Sequence, residues 1–189
     1  MKRHFSGLRP YLGIVCCLTL LLALPCAPQA ANDKIDPATY ICAELVTQPI
    51  SGDGEPPVFT ALQIDGYASA KAGNVVADPD SLASILDQVY AVCQTKPADT
   101  VLSVWQEARK LLPAGTESPW RADKTTCKDY ADDTENGSGF VIWLDGYNRA
   151  KQNTSASVLK DDATLKAYFD ACTKQPQALM LDVMTTSAQ

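Results

Sequence analysis

Apolar residues along this chain recur at helical spacing in a series of short segments, and no segment alternates with the period of two that a half-buried strand requires. Asp36-Pro37 predicts a helix running to Thr47, with an acceptor side chain at its cap and proline in its first turn. Gly52, Gly54, Pro56 and Pro57 then read as a loop. From Val58, the residues Phe59, Leu62, Ile64, Tyr67 and Ala70 mark a second helix that ends at Gly73. Asp78-Pro79 opens a third, with Leu82, Ile85, Leu86, Val89 and Cys93 on one face. After Pro97 a fourth carries Val101, Leu102, Val104, Trp105 and Ala108 to about Leu112.

The second half repeats this order with less loop. Thr126 to Asp132 predicts a short helix with Cys127 in its first turn, and Asn136-Gly137-Ser138-Gly139 reads as a break. Phe140 to Gln152 forms the next helix, Asp161 or Asp162 caps one that aligns Leu165, Tyr168, Phe169 and Cys172, and Ala178 to Met184 forms the last. The expected fold is all-α: two tandem small helical modules of about four helices, each closed by one disulfide. The boundaries are a targeting segment at 1–31, module 1 at 32–112, a linker with Gly115 and Pro119 at 113–123, module 2 at 124–185, and a tail at 186–189.

The modular reading rests on an internal repeat. Asp65-Gly66-Tyr67-Ala68-Ser69-Ala70-Lys71 recurs as Asp145-Gly146-Tyr147-Asn148-Arg149-Ala150-Lys151, with five identities in seven. The cysteines fall in the same register: Cys42 and Cys127 lie 25 and 20 residues before the motif tyrosines, and Cys93 and Cys172 lie 26 and 25 after them. Pro97 and Pro176 each follow the second cysteine by four residues. A duplicated module should close its own bridge, which gives Cys42–Cys93 and Cys127–Cys172; bridges between the repeats and free thiols are the alternatives. A glycine inside a helix costs about 1 kcal/mol relative to alanine, so Gly66 and Gly146 suggest close helix approach. Asp65, Tyr67, Ala70 and Lys71, with Asp145, Tyr147, Ala150 and Lys151, read first as a packing motif.

The N-terminus departs from this pattern. Lys2, Arg3 and Arg9 precede a continuous apolar run from Tyr11 to Leu24, then Pro25 and the small residues Ala27 to Ala31, the order of a cleaved secretory signal. The run is short for a bilayer-spanning helix, so no stable membrane insertion is expected. Pro25 in place of a small residue argues against lipid attachment at Cys26.

Removing that segment changes the composition. The full chain has 189 residues, seven cysteines, one histidine and a net charge of −6. His4, Cys16, Cys17 and Cys26 leave with the signal, as do three of the sixteen basic residues, while all twenty-two acidic residues stay, for a mature charge of −9. An acidic chain does not suit nucleic acid, which needs a basic face. Without histidine there is no Ser-His-Asp or Cys-His arrangement, and four cysteines lacking Cys-x-x-Cys spacing in an exported protein do not suggest a metal site. Ser51-Gly52-Asp53-Gly54 matches no phosphate-binding loop, and Asp132-Asp133 and Asp161-Asp162 read as solvated helix-end carboxylates. Neither a catalytic residue, a cofactor nor a metal is expected.

Trp143-Leu144-Asp145-Gly146-Tyr147 with Ala150-Lys151, Tyr168, Cys172 and Pro176, and Thr126-Cys127-Lys128-Asp129-Tyr130 upstream, resembles the HdeA/HdeB family of periplasmic acid-stress chaperones. The first copy resembles it through Cys42-Ala43-Glu44-Leu45, Gly66-Tyr67, Ala70-Lys71, Cys93 and Pro97, with Gln63 and Ile64 where Trp-Leu stands in the second. The resemblance implies a periplasmic helical module that is idle at neutral pH, opens in acid and binds unfolding periplasmic proteins without ATP. The stretches it offers for clients are Val58, Phe59, Leu62 and Ile64, and Phe140, Val141, Ile142, Trp143 and Leu144. It also implies self-association, for which two fused modules can substitute by pairing with each other.

The charge pattern fits such a response. The mature chain has no histidine, so its side chains titrate mainly near pH 4, and full protonation moves the charge from −9 toward +13. The alternative reading is a constitutive periplasmic binding or scaffolding module on the same fold, without the acid switch.

Overall fold

The computed structural model describes residues 35–48, 57–111 and 118–188; the targeting segment and the first part of the linker lie outside these. Among the described residues there are eight helices and no strand. The first module holds α1 (Cys42–Thr47), α2 (Val58–Ala72), α3 (Leu82–Cys93) and α4 (Val101–Leu111). The second holds α5 (Cys127–Asp132), α6 (Thr134–Gln152), α7 (Asp162–Lys174) and α8 (Met180–Ser187).

Local signals explain most of these bounds. α2 stops at Gly73, which adopts a left-handed φ of 74° and lets the Asn74 N–H donate back to the Ser69 carbonyl at 2.8 Å. α3 and α4 bury the faces that their spacing marks: Leu82, Ile85, Leu86, Val89 and Cys93, and Val101, Val104, Trp105 and Ala108. α7 starts at the Asp161 cap, whose carboxylate accepts from the Thr164 N–H at 2.7 Å.

Three starts differ from the sequence expectation. Asp78-Pro79 does not open α3 but leads into a turn, and the helix begins at Leu82 after the Ser81 cap. Asp36-Pro37 does not open α1: residues 37–39 form a turn, and Ile41 bridges Thr100 instead. The Cys42 N–H donates to Asp99 and the Ala43 N–H to Pro97, each at 2.9 Å, so this backbone is committed to the chain ahead of α4. In the second module, Asn136 to Gly139 is no break but part of α6. A side chain on Gly137 would meet the Trp120 and Tyr130 rings at 2.7 and 2.9 Å, and one on Gly139 would meet Leu62 at 3.3 Å. These glycines are there for tertiary clearance, which overrides their weak helix propensity.

Each module closes its own disulfide, Cys42–Cys93 with 4.8 Å between Cα atoms and Cys127–Cys172 with 5.2 Å. The prolines after the second cysteines have matching places. Pro97 accepts from Ala43 at 2.9 Å and Pro176 from Lys128 at 2.8 Å, each donor being the residue after the module's first cysteine. The bridges Ile41–Thr100 and Thr126–Leu179 flank these contacts.

Both modules bury their own apolar core. One gathers Leu45, Ile64, Ile85, Val89, Val101 and Trp105; the other gathers Phe140, Trp143, Leu144, Tyr168, Met180 and Met184. Residues 118–123 also pack: Trp120 and Ala122 are buried, and their backbone exchanges hydrogen bonds with Val75 and Ala77 across the Val76–Arg121 bridge. α8 runs to Ser187, and Ala188 beyond it is buried.

Candidate functional site

The most constrained place in the molecule is where α2 meets α6, because both copies of the repeated motif lie there. A β-carbon on Gly66 would stand 1.9 Å from the Trp143 carbonyl oxygen, and one on Gly146 would stand 2.0 Å from the Gln63 carbonyl oxygen. Each glycine thus faces the backbone three residues ahead of the other, and only glycine permits that separation. Tyr67 and Tyr147 are buried beside the contact, with the Lys71 ammonium 5.5 Å from the Tyr67 ring centre. A cavity of about 50 Å³ remains, lined among others by Leu62, Asp65, Trp120, Phe140 and Trp143.

The two motif aspartates carry the polar half of the contact, and the same exchange recurs. Trp143 donates its indole N–H to Asp65 at 2.9 Å, and Gln63 donates its amide N–H to Asp145 at 3.3 Å. Each donor stands two residues before its own module's aspartate and donates to the aspartate of the other module. The Gln63 that replaces tryptophan in the first copy therefore keeps the donor and changes its chemistry.

The rest of the two shells differs. Asp65, 1% exposed, also accepts from the Trp105 indole at 2.7 Å and from Arg109 Nε and Nη2 at 2.8 and 2.6 Å. This is a bidentate pair inside the protein, and Arg109 Nη1 reaches on to the Ser81 hydroxyl at 2.8 Å. Asp145 is fully buried, and among the described residues no cation is bonded to it; it accepts from the Ser157 hydroxyl at 2.9 Å and the Val158 N–H at 3.0 Å. Burial pushes its carboxyl above the ordinary aspartate value, against the opposing pull of Ser157, Arg149, Val158 and Gln63. Arg149 turns away, donating to the Ile35 carbonyl at 2.9 Å and to Asp36 at 3.4 Å, so that α6 holds the start of the first module.

The client candidates sit in two different settings. Val58 and Phe59 are exposed, at 46% and 40%, and Leu62 is half-buried, whereas Ile64 is buried. Phe140, Val141, Trp143 and Leu144 are buried and Ile142 is half-buried. Phe140 belongs to a run of ring contacts: Trp120 to Phe140 at 5.4 Å, Phe140 to Trp143 at 5.8 Å and Trp143 to Tyr147 at 5.2 Å between centres. Trp120 reaches Phe140 from the short stretch 118–123, and Tyr130 of the six-residue α5 meets the Trp120 ring at 6.3 Å and stacks on Phe169 at 5.6 Å between centres.

Sequence reasoning singled out Gly66, Gly146 and both aspartates as a motif but did not find Trp105, Arg109, Ser157 or Val158. Trp105 lies 40 residues from Asp65 and Arg109 lies 44, with no local signal connecting them. The only cue was a tryptophan and an arginine one turn apart on the apolar face of α4. Among the described residues, no three His, Cys, Asp or Glu side chains gather to hold a metal ion, and no helix is long and apolar enough to cross a membrane.

No curated protein and no solved structure matches this chain. The model of the HdeA/HdeB family does match, over residues 12–103, a span that contains α1, α2, α3 and the first residues of α4. Over that span the chain is HdeA-like.

Proposed function

We propose that this protein is an ATP-independent acid-stress chaperone of the periplasm, exported by the 1–31 segment, and that residues 124–185 form a second HdeA-like module. The observation that carries the reading is the family match over residues 12–103. The reciprocal α2–α6 contact and the matching disulfides and proline contacts support extending it to the second module.

At neutral pH the chain is closed, and most of its candidate client-binding residues are covered. Lowering the pH protonates the carboxylates and leaves up to thirteen mutually repelling cations on the mature chain. Loosening of α5 and of residues 118–123 then uncovers Trp120, Phe140 and Trp143, and the exposed Val58 and Phe59 extend the apolar surface. Unfolded polypeptides bind by burying their own apolar side chains there, and the surface closes again as the carboxylates recover their charge. The partners are acid-unfolded periplasmic proteins; no cofactor, metal, nucleic acid or catalytic step enters. The test is the light scattering of an acid-labile client near pH 2 to 3, with and without the purified chain. Reduced scattering is the expected result, and equal scattering refutes the reading.

One observation favours a second reading, a constitutive binding or scaffolding module. Asp145 is easier to protonate in the folded chain than an ordinary aspartate, so this group resists acid opening. Apolar-dye binding and scattering that stay unchanged to pH 2, with a partner held at neutral pH, would select that reading.

A further inference from the structure

The α2–α6 contact is symmetric in outline and unequal in chemistry. Among the described residues, every group hydrogen-bonded to the Asp65 carboxylate is an N–H donor: two indoles and a guanidinium. None of them can accept a proton from a carboxyl group, so a neutral side chain at 65 displaces at least one donor and leaves Arg109 without its closest partner. Around Asp145 the chemistry is reversible. The Ser157 oxygen lies 2.9 Å from both carboxylate oxygens and can accept as readily as it donates, and Gln63 presents an amide with both functions. The Gln63 side-chain oxygen is buried and has no hydrogen-bond partner among the described residues.

We propose that the two motif aspartates divide the acid response of this contact: Asp145 is a position that keeps its half intact when neutral, and Asp65 is a position whose half opens when its charge is removed. On protonation the Asp145 carboxyl turns from acceptor to donor toward Ser157, whose own hydroxyl proton swings away. The proton comes from solvent, no heavy-atom contact is lost, and the Val158 N–H continues to donate. The charged and titratable neighbours are Arg109 of α4 and Asp78 ahead of α3 for Asp65, and Arg149 of α6 and Tyr168 of α7 for Asp145. The buried shift of Asp145 has the same sense as its geometry. The inference concerns the pairing of the two modules and stands whether or not the chain binds unfolded proteins.

Isosteric neutral variants of the full chain separate the two positions. D145N should fold and keep the parent's urea midpoint at pH 7, because an amide at 145 can donate to Ser157 as the protonated acid does. D65N should lower that midpoint by about 1 M or more, because it removes the bidentate anionic partner of a largely covered guanidinium and leaves it facing the Ser81 hydroxyl and the more distant Asp78 carboxylate, 3.8 Å away. Equal losses in the two variants overturn the proposal. If D65N does not fold, the unaltered chain decides by amide exchange during acidification: the Trp105 and Trp143 indole protons should lose protection before the Val158 amide does. Loss at Val158 first, or at all three together, overturns it.

Discussion

A β-carbon on Gly66 would lie 1.9 Å from the Trp143 carbonyl oxygen, so the adjustment needed to admit one falls on two helix backbones rather than on a flexible side chain. Gly66→Ala and Gly146→Ala should each cost about 3 kcal/mol, the upper end of overpacking. Gly73 is the control, since its α-carbon faces open space and only its φ of 74° resists substitution. Gly73→Ala should cost about 1 kcal/mol, and urea midpoints of the three variants check the order. The same scale shows how Asp145 responds to pH. Its folded pKa is raised, so the stability it contributes is fully present below the unfolded value of 3.8 and is lost as pH rises through the folded value. Replacing it by asparagine removes that dependence, so D145N should compare more favourably with the parent at pH 7 than at pH 3 by chemical denaturation. The motif itself was legible in the sequence because it occurs twice, and the glycine cost pointed to a close approach. What Asp65 touches was not, because Trp105, Arg109 and Trp143 reach it from 40, 44 and 78 residues away.

The helices were legible wherever a local cause sets their ends, as at Gly73 for α2 and Asp161 for α7. They were misread at Asp36 and at Gly137, where the deciding partners are a backbone bridge to Thr100 and the rings of Trp120 and Tyr130. α5 shows how slight the hold on a short element is. Its six residues are held at the start by a capping box: the Asp129 N–H donates to the Thr126 hydroxyl oxygen at 3.2 Å, and the Thr126 N–H donates to the Asp129 carboxylate at 2.8 Å. Thr126→Ala should cost about 1 kcal/mol. The Thr126 backbone and hydroxyl bonds hold the Asp129 carboxyl below its ordinary value, so its contribution is present above pH 3.8 and is lost as pH falls through the lower folded value. The group is exposed and screened, which limits that part to a few tenths of a kcal/mol. The acid sides of the Asp129→Asn and parent stability curves should therefore converge below pH 3.8, while the Thr126→Ala deficit, read in urea at pH 7, is the larger.

Two cores of small modules, each tied by one bridge, set the behaviour of the whole chain. The bridges join residues 51 and 45 apart, and the chain-entropy model assigns each closure about 4 kcal/mol. Such a contribution is comparable to the entire stability of a small domain. Reduction and alkylation should therefore abolish the helical circular dichroism at neutral pH, with no acid needed. The pairing of modules has a different signature, because α2 and α6 belong to one polypeptide and their separation releases no subunit. A contact between chains weakens on dilution, whereas one within a chain has a fixed effective concentration set by the connecting residues. The acid transition, followed by tryptophan emission, should keep the same midpoint over a hundredfold range of protein concentration. A midpoint that moves to higher pH on dilution would mean that a contact between chains, rather than the α2–α6 contact, is what acid opens.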